Sequence, residues 1–178
     1  MVNIALYSLD KLTERQLSRA RNLRNYLGLS LGIAVVFIWG WRWITDHYLI
    51  AGNETNSLPD AFFIVEKGRF EFKLHDKIAF VAGPSIRHYP ISLIFINEVC
   101  GVGGDRITWR SNEIYINTQR IGVAKTVNRF GEPMQHTPAG VIPPQHYFVS
   151  TPHPDSYDSR YTDVGLVDSS RIVGRVLW

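Results

Sequence analysis

The hydrophobic and polar positions of the chain follow one pattern before residue 50 and another after it. Residues 25–41 contain no charged side chain. As an α-helix this run would rise about 25 Å, slightly less than the hydrocarbon core of a bilayer, which is about 30 Å thick. Trp43 and Ile44 extend the run, because Arg42 can direct its charge back to the membrane surface. The pattern predicts a transmembrane helix over residues 25–45.

Aromatic side chains at both ends of this run support a membrane span. Tyr26 stands at one end, and Trp39, Trp41, Trp43 and Tyr48 stand at the other. Tyrosine and tryptophan prefer the headgroup level of a bilayer. Two alternatives stay open at this point: a helix buried in a soluble core, and a cleavable signal peptide. The residues that follow the run offer no clean small-x-small cleavage site near their start, which favours an uncleaved anchor.

The charge distribution bears on orientation and on binding partners. The first 25 residues hold two acidic side chains and five basic ones, which accounts for the whole formal net charge of +3. The basic residues are Lys11, Arg15, Arg19, Arg21 and Arg24. Because the rest of the chain sums to zero, we expect no nucleic-acid partner. The positive-inside rule places residues 1–24 in the cytoplasm and the chain after about residue 46 outside. Residues 12–25 either lie along the inner membrane surface or continue the span as a solvated helix.

After residue 52, short apolar runs alternate with turn-forming residues. This pattern predicts a mostly β domain over residues 52–178. The predicted strands cover residues 61–66, 69–73, 77–82, 93–99, 105–109, 113–117, 119–124, 146–150 and 171–177. Residues 125–145 hold four of the nine prolines and are poor in strand-forming residues, so we expect an irregular insertion there.

Composition limits the chemistry of this domain. Cys100 is the single cysteine, which excludes an intrachain disulfide and a cysteine-based zinc site. His136, His146 and His153 are spaced irregularly and fit no metal-binding motif. We therefore expect neither a cofactor nor a metal ion.

Four segments, in order along the chain, carry a recognisable pattern. They are residues 55–59 (TNSLP), residues 95–105 (FINEVCGVGGD), residues 112–122 (NEIYINTQRIG), and residues 156–161 (SYDSRY) with the following VGLV and IVGR. Together they resemble the type I signal peptidase family of membrane-anchored serine proteases. The resemblance covers about residues 52–176 and is closest to the conjugative-transfer branch, the TraF-type peptidases that process pilin subunits.

The resemblance implies a signal-peptidase-like domain of coiled antiparallel β-sheets, tethered by the one N-terminal transmembrane helix. It also implies a Ser–Lys dyad, in which the serine attacks a peptide carbonyl and a buried neutral lysine takes its proton. Ser57 matches the nucleophile. Thr55 matches a hydroxyl that joins the Ser57 backbone N–H in an oxyanion hole. The alternative, without a catalytic role, is a loop hydroxyl that bonds to its own backbone. Ser156 matches a hydroxyl that helps to orient the lysine amine.

Asp158 and Arg160 match the acidic–basic pair of the family. Two residues apart, they would face the same side of an extended segment. The resemblance implies that this pair holds the last loop against the active site. The alternative is an ion pair on the protein surface.

The sequence departs from the family pattern at Asn97. The resemblance places the catalytic lysine in the strand that leads into the Gly-Gly-Asp turn, and Asn97 occupies that position. An asparagine amide does not titrate and cannot act as a base. Losing a general base costs about 10²–10⁴ in rate, so the chain as written should bind a substrate and turn it over very slowly.

Three explanations of Asn97 compete. The chain is an inactivated form of an active enzyme, which the otherwise intact motifs favour. Alternatively, it is a relative that serves as a binding or assembly factor. In the third explanation another side chain replaces the lysine as the base. The candidates for that role are Lys67, Lys73, Lys77, His75 and His88.

The resemblance implies a bacterial inner-membrane protein that crosses once, with its catalytic domain in the periplasm. Its partners would be the lipid bilayer and pre-pilin, or another peptide that emerges from the membrane. The expected reaction is acylation of Ser57, followed by hydrolysis or by head-to-tail cyclisation of the pilin. The rival is a non-catalytic pilin-binding factor with the same fold.

Overall fold

The structure is a computed structural model that describes residues 2–52, 62–68, 71–83, 85–86, 89, 93–128 and 130–177. It divides into two compact units, Met1–Asp46 and His47–Trp178. The first unit is helical, and the second is built from β-strands.

A single long helix, α1, forms the first unit and runs over Val2–His47. Its part from Gln16 to His47 is long and apolar enough to span a membrane, with a mean hydropathy of 1.6. None of the apolar stretch in this part is buried in the protein. The alternative of a buried core helix is therefore wrong. The helix continues without a break through residues 12–25, as the alternative of a helical extension expects.

Hydroxyl groups within α1 are bonded to the helix itself. Ser30 Oγ donates to the Leu27 carbonyl at 2.9 Å, and Thr45 Oγ1 donates to the Arg42 carbonyl at 3.0 Å. An apolar environment offers a hydroxyl no other partner, so these bonds to the preceding turn suit a helix surrounded by lipid.

Eleven strands are seen in the described part of the second unit. They are β1 (Tyr48–Gly52), β2 (Phe62–Lys67), β3 (Lys77–Val81), β4 (Ile94–Gly101), β5 (Arg106–Arg110), β6 (Glu113–Ile116), β7 (Gln119–Val123), β8 (Gly140–Val141), β9 (His146–Ser150), β10 (Val167–Asp168) and β11 (Ile172–Val176). A short 3₁₀ turn over Ser169–Arg171 precedes β11, and the Asp168 side chain accepts a hydrogen bond from Ser170 N–H at its start.

The strands form two sheets in which every neighbouring pair is antiparallel. One sheet has seven strands in the order β1-β2-β11-β3-β4-β9-β10, and the other has four in the order β7-β6-β5-β8. A hydrophobic cluster that includes Phe80, Val99 and Val149 packs on the larger sheet. A second cluster joins Ile114 of the smaller sheet to Phe148 of β9. The mostly β, antiparallel architecture predicted from the sequence is confirmed.

Two glycines allow close approaches of the backbone. A Cβ atom at Gly101 would lie 2.8 Å from Ile142 Cδ1, in the second cluster. A Cβ atom at Gly174 would lie 1.9 Å from the Glu66 carbonyl oxygen, where β11 pairs with β2. Gly174 also follows a shift in the register between β11 and β3. Both the close approach to Glu66 and this irregularity favour glycine at position 174.

One predicted strand is wrong. Residues 71–73, the described end of the strand predicted over 69–73, are not in a strand. The chain turns because the Lys73 N–H donates to Asp76 Oδ2 at 2.9 Å and the Asp76 N–H donates to the Lys73 carbonyl at 3.1 Å. His75 completes the turn with a φ of 72°. Phe72 is therefore buried although residues 71–73 form no strand.

Three strands were not predicted. The first, β1, follows α1 directly and continues its apolar character, so no turn signal separates the two. The other two, β8 and β10, are two residues long, too short for an alternating pattern. The strand β8 lies inside the segment predicted to be an irregular insertion, where it pairs with β5.

Candidate active site

A buried ion pair lies at the centre of the candidate site. Arg160 Nε lies 2.8 Å from Asp158 Oδ1, and a terminal nitrogen of Arg160 lies 2.9 Å from Oδ2, so two parallel hydrogen bonds join the side chains. Asp158 is 0% exposed and Arg160 is 2% exposed. The alternative of a surface ion pair is therefore wrong. The pair also does not lie on an extended segment, because the Tyr161 N–H donates to the Asp158 carbonyl and closes a turn.

The remaining donors of Arg160 bind backbone carbonyls from two parts of the fold. They contact Val123 O at 2.8 Å, Ser156 O at 3.1 Å and His153 O at 3.2 Å. Burial alone would lower the pKa of the guanidinium, but the hydrogen bonds and the charge of Asp158 outweigh burial and raise that pKa above its usual value. Arg160 is therefore a permanent cation that ties the last loop to the end of β7.

The carboxylate of Asp158 is also bound by the end of β9. Ser150 Oγ donates to Oδ2 at 2.8 Å, and the Thr151 N–H donates to the same oxygen at 3.4 Å. Sequence reasoning missed both residues. The available signal was the polar pair Ser150-Thr151 at the end of an otherwise apolar strand, where hydroxyl groups must find partners if they are buried.

Asn97 is a buried polar residue on β4. It is 4% exposed, lies opposite Ile78 of β3, and shares the face of Val99. Its Nδ2 atom has no hydrogen-bond partner within the described ranges. An unpaired buried amide costs about 1–3 kcal/mol. Packing and hydrogen bonding therefore do not account for an asparagine at this position.

Asn97 is connected to the ion pair through β9. Glu98 lies opposite Ser150 in the β4–β9 ladder. The strand β9 ends at Ser150, and Thr151 follows it directly. Thr151 Oγ1 is a second buried polar atom without a hydrogen-bond partner in the described part of the chain. The Thr151 N–H donates to Asp158, so Thr151 lies beside the Asp158–Arg160 pair.

Ser156 is brought close to the ion pair. It is 5% exposed, and its carbonyl accepts a hydrogen bond from Arg160. Ser57, the predicted nucleophile, and Thr55, the predicted oxyanion hydroxyl, lie outside the described residues. The same holds for His88.

The other alternative bases occupy different surroundings. Lys73 and His75 are exposed, while Lys67 and Lys77 are half-buried at the ends of β2 and β3. His75 Nδ1 lies 2.6 Å from Glu98 Oε1 in an ion pair. Nothing in this arrangement distinguishes one of them as a base.

Cys100 lies near the Asp158–Arg160 ion pair, and its thiol is poorly reactive. Burial, reinforced by the charges of Glu98 and Asp158, raises the pKa of its thiol to about 12. The Sγ atom lies 3.6 Å from the Glu98 carbonyl, to which it donates. The thiol is therefore protonated and poorly nucleophilic at neutral pH.

The described residues contain no group of three or more histidine, cysteine, aspartate or glutamate side chains that could hold a metal ion. What the arrangement offers instead is a buried ion pair whose side chains are hydrogen-bonded to β7, to β9 and to the last loop. The described residues thus combine a long apolar helix with an antiparallel β domain that holds a buried acidic–basic pair in its last loop.

Comparison with known proteins identifies the class. The family described as signal peptidase, peptidase S26, matches residues 23–178 of the chain. The chain belongs to this family of serine peptidases. Among solved structures, a signal peptidase I from Enterococcus faecalis V583 is 22% identical, with a TM-score of 0.39 over 62% of this chain and 100% of that chain. No curated protein matches the chain.

Proposed function

We propose that this chain belongs to the pilin-processing branch of the signal peptidase family, with Ser57 as nucleophile, and that Asn97 impairs it. The observation that carries this proposal is the buried Asn97 Nδ2 atom, which lacks a hydrogen-bond partner in the described residues. It stands at the position that the family resemblance gives to the catalytic lysine. An uncharged residue there leaves the nucleophile without a base.

The surroundings of residue 97 suit a lysine that acts as a base. A buried amine loses the hydration of its charged form, so its pKa falls from about 10.4 toward neutrality. At 4% exposure, residue 97 is buried enough for this effect. Thr151 Oγ1 is a buried oxygen without a hydrogen-bond partner among the described residues, at the end of the strand that pairs with β4, and we expect it to accept a hydrogen bond from such an amine.

The proposed reaction begins when the Ser57 hydroxyl attacks a peptide carbonyl. The developing oxyanion is held by the Ser57 backbone N–H and the Thr55 hydroxyl. The base at position 97 takes the hydroxyl proton and then delivers it to the leaving amine. Water releases a shortened pilin, whereas the pilin's own N-terminus would release a circular product. Asn97 accepts no proton, so neither product forms at a useful rate.

The proposed substrate is pre-pilin or another peptide that emerges from the membrane. Such a peptide would bind as an added strand, through backbone hydrogen bonds. The edge strand β1 lies directly after the membrane-spanning helix and exposes Ile50 to 74%. This order along the chain favours a substrate presented close to the bilayer surface.

The proposed topology places the N-terminus in the cytoplasm of a bacterium and the β domain in the periplasm, because the basic residues precede the span. Protease added to spheroplasts tests it. Loss of the β domain is the expected result. Protection of the β domain in intact spheroplasts would contradict this topology.

A paired assay tests the function. The full chain and its Asn97→Lys variant are incubated in membranes with the candidate pilin, and the intact mass of the pilin is followed. We expect only the lysine variant to shorten the pilin, or to yield a product one water lighter than the cleaved linear form. Asn97→Gln is the matched control, since it lengthens the side chain without adding a base.

The second candidate function is a non-catalytic pilin-binding factor, which Asn97 itself favours. Pilin that is bound by both forms and cut by neither would support this function and overturn the first. Equal cleavage by both forms would instead place the base elsewhere, and would direct attention to Lys67, Lys73 or a histidine.

A further inference from the structure

A pocket of about 520 Å³ lies between the insertion and the last loop, in the β unit. The insertion supplies Val127, Phe130 and Met134 to its lining, and the last loop supplies Tyr157 and Tyr161. A volume of this size is typical of sites for small ligands.

Hydrogen bonds within the insertion hold one wall of the pocket in place. Met134 N–H donates to the Thr126 carbonyl at 2.9 Å, and a β-bridge joins Val127 to Pro133. At the tip of this small hairpin, Asn128 Oδ1 accepts hydrogen bonds from two backbone N–H groups, at 2.9 Å and 3.0 Å. These bonds fix the backbone that carries the apolar side chains of the pocket.

Aromatic rings form the opposite wall. The ring centroids of Tyr89 and Tyr157 are 6.0 Å apart, and those of Tyr157 and Tyr161 are also 6.0 Å apart. The Tyr157 hydroxyl donates to Asp163 at 2.6 Å, and the Tyr161 hydroxyl accepts from the Lys125 N–H at 3.0 Å. Because these hydroxyls are engaged, the tyrosines act here as hydrophobic ring surfaces, which prefer another ring at 4.5–7 Å.

The charges in the lining compensate each other. Lys125 Nζ forms an ion pair with Asp155, and both residues line the pocket. Asn128 and Ser156 supply the uncharged polar groups. A lining of this kind favours a neutral, mainly apolar occupant over a charged one.

The pocket borders the loop that carries the buried ion pair. Ser156 lines the pocket, and its carbonyl accepts a hydrogen bond from Arg160 of the buried ion pair at 3.1 Å. An occupant of the pocket therefore lies against the loop that carries Asp158 and Arg160. We expect a peptide bound beside this loop to place one of its side chains in the pocket.

We propose that this pocket binds one aromatic side chain of the peptide substrate. The inference rests on the proposed function, and it assigns the insertion at residues 125–134 a role in peptide recognition. Four aromatic side chains and a methionine give such a ring a complementary surface. The pocket then acts as a specificity subsite that selects peptides with an aromatic residue.

Photo-crosslinking tests this proposal without needing catalysis. The full chain in lipid nanodiscs is irradiated with a five-residue peptide of glycine and serine that carries one central benzoyl-phenylalanine. Crosslinks are mapped by peptide mass. We expect them within residues 125–134 and 155–161, and we expect a matching phenylalanine peptide, but not its alanine counterpart, to suppress them. Crosslinks spread over the chain would overturn the proposal.

Two matched variants sharpen the test. Val127 lines the pocket and is 50% exposed, whereas Val141 lies outside it on β8 and is 52% exposed. We expect Val127→Arg to lower the crosslink yield about tenfold, as loss of one buried apolar contact would, and Val141→Arg to leave it unchanged. Phe130→Ala, which introduces no charge, should also lower the yield. Equal yields in all variants would overturn the proposal.

The remaining outcomes distinguish a failure of the pocket proposal from a failure of the proposed function. Displacement of the probe by a short-chain phosphatidylcholine, but not by the phenylalanine peptide, would assign the pocket to lipid tails and overturn the proposal. If Asn97→Lys cleaves pilin while the crosslink fails to map to the pocket, the pocket proposal alone fails. If the crosslink maps as expected while Asn97→Lys remains inactive, peptide binding stands and the proposed catalysis fails.

Discussion

Arg160 donates two parallel hydrogen bonds to Asp158 in a pair that solvent hardly reaches, at 2.8 Å to Oδ1 and 2.9 Å to Oδ2. Burying two charges is costly, and their attraction repays the cost only when the other hydrogen bonds of both groups are also made. Here Ser150 supplies such a bond to the carboxylate, and Val123 accepts one from the guanidinium. The pair therefore joins the last loop to β9 and to the end of β7.

Removing one partner of this pair should destabilise the β domain strongly. Arg160→Gln leaves the Asp158 carboxylate buried without its cation, which costs about 3–5 kcal/mol. We expect the urea midpoint of the full chain in detergent to fall markedly. Labelling of Cys100, which is half-buried and has a raised thiol pKa in the folded domain, provides the measurement.

Arg120→Gln is the matched control for this prediction. Arg120 also pairs with an acidic residue, Glu113 at 2.8 Å, but both side chains are more than one-third exposed. Solvent screens such a pair, so the midpoint should hardly move. Equal shifts for the two variants would mean that the buried pair contributes no more than a surface pair.

The raised pKa of Cys100 predicts slow alkylation. A thiol whose pKa lies at about 12 instead of 9.0 forms little thiolate at neutral pH. Iodoacetamide should therefore modify the folded chain far more slowly than the urea-unfolded chain at pH 8. The stability linked to this thiol is complete below pH 9 and is lost as the pH rises toward 12. Rapid labelling of the folded chain at pH 8 would show that the thiol is accessible and ionised.

A methyl group at position 174 should disrupt the pairing of β11 with β2. The Cβ atom of Gly174→Ala would lie 1.9 Å from the Glu66 carbonyl oxygen, so the two backbones must separate. Overpacking of this kind costs about 1–3 kcal/mol or more. Gly140→Ala is the control, because a Cβ atom there meets nothing within 4 Å. Thermal unfolding should distinguish the two variants, and similar midpoints would contradict the β2–β11 register.

Replacing Thr151 by valine should leave the domain as stable or make it more stable. The Thr151 hydroxyl is buried without a hydrogen-bond partner among the described residues, and valine has nearly the same shape. Removing an unsatisfied buried hydroxyl gains up to about 1 kcal/mol. A urea titration of Thr151→Val checks this. A loss of more than 1 kcal/mol would mean that the hydroxyl has a partner, and would weaken its assignment as an acceptor for a lysine at position 97.

The sequence predicts the architecture well where its patterns are long. The apolar run at 25–41 and the strands at 77–82, 93–99 and 146–150 each have a counterpart in the structure. The prediction failed at residues 71–73, because a side chain three residues on, Asp76, competes with strand pairing by capping the Lys73 N–H. The sheet order could not be predicted, since β11 inserts between β2 and β3 from the far end of the chain.

The candidate site was predictable only in part. Motif matching selected Ser156, Asp158, Arg160 and the unusual Asn97. It could not indicate the burial of the Asp158–Arg160 pair, which depends on contacts with Ser150 and Val123 from distant strands. It also missed the pocket, because the insertion and Tyr157 meet only in the folded domain. Local signals do not encode such contacts between distant segments.

The central claim is that residue 97 is the base position for Ser57, and acylation of Ser57 tests it most directly. The full chain, Asn97→Lys and Asn97→Gln are treated with a serine-directed acylating probe, and the labelled peptide is identified by mass. We predict labelling of Ser57 in the lysine variant at least about 10²-fold faster than in the other two, with a rate that rises with pH as the buried amine loses its proton. Equal labelling of Ser57 in all three, or labelling at another residue, would contradict the account.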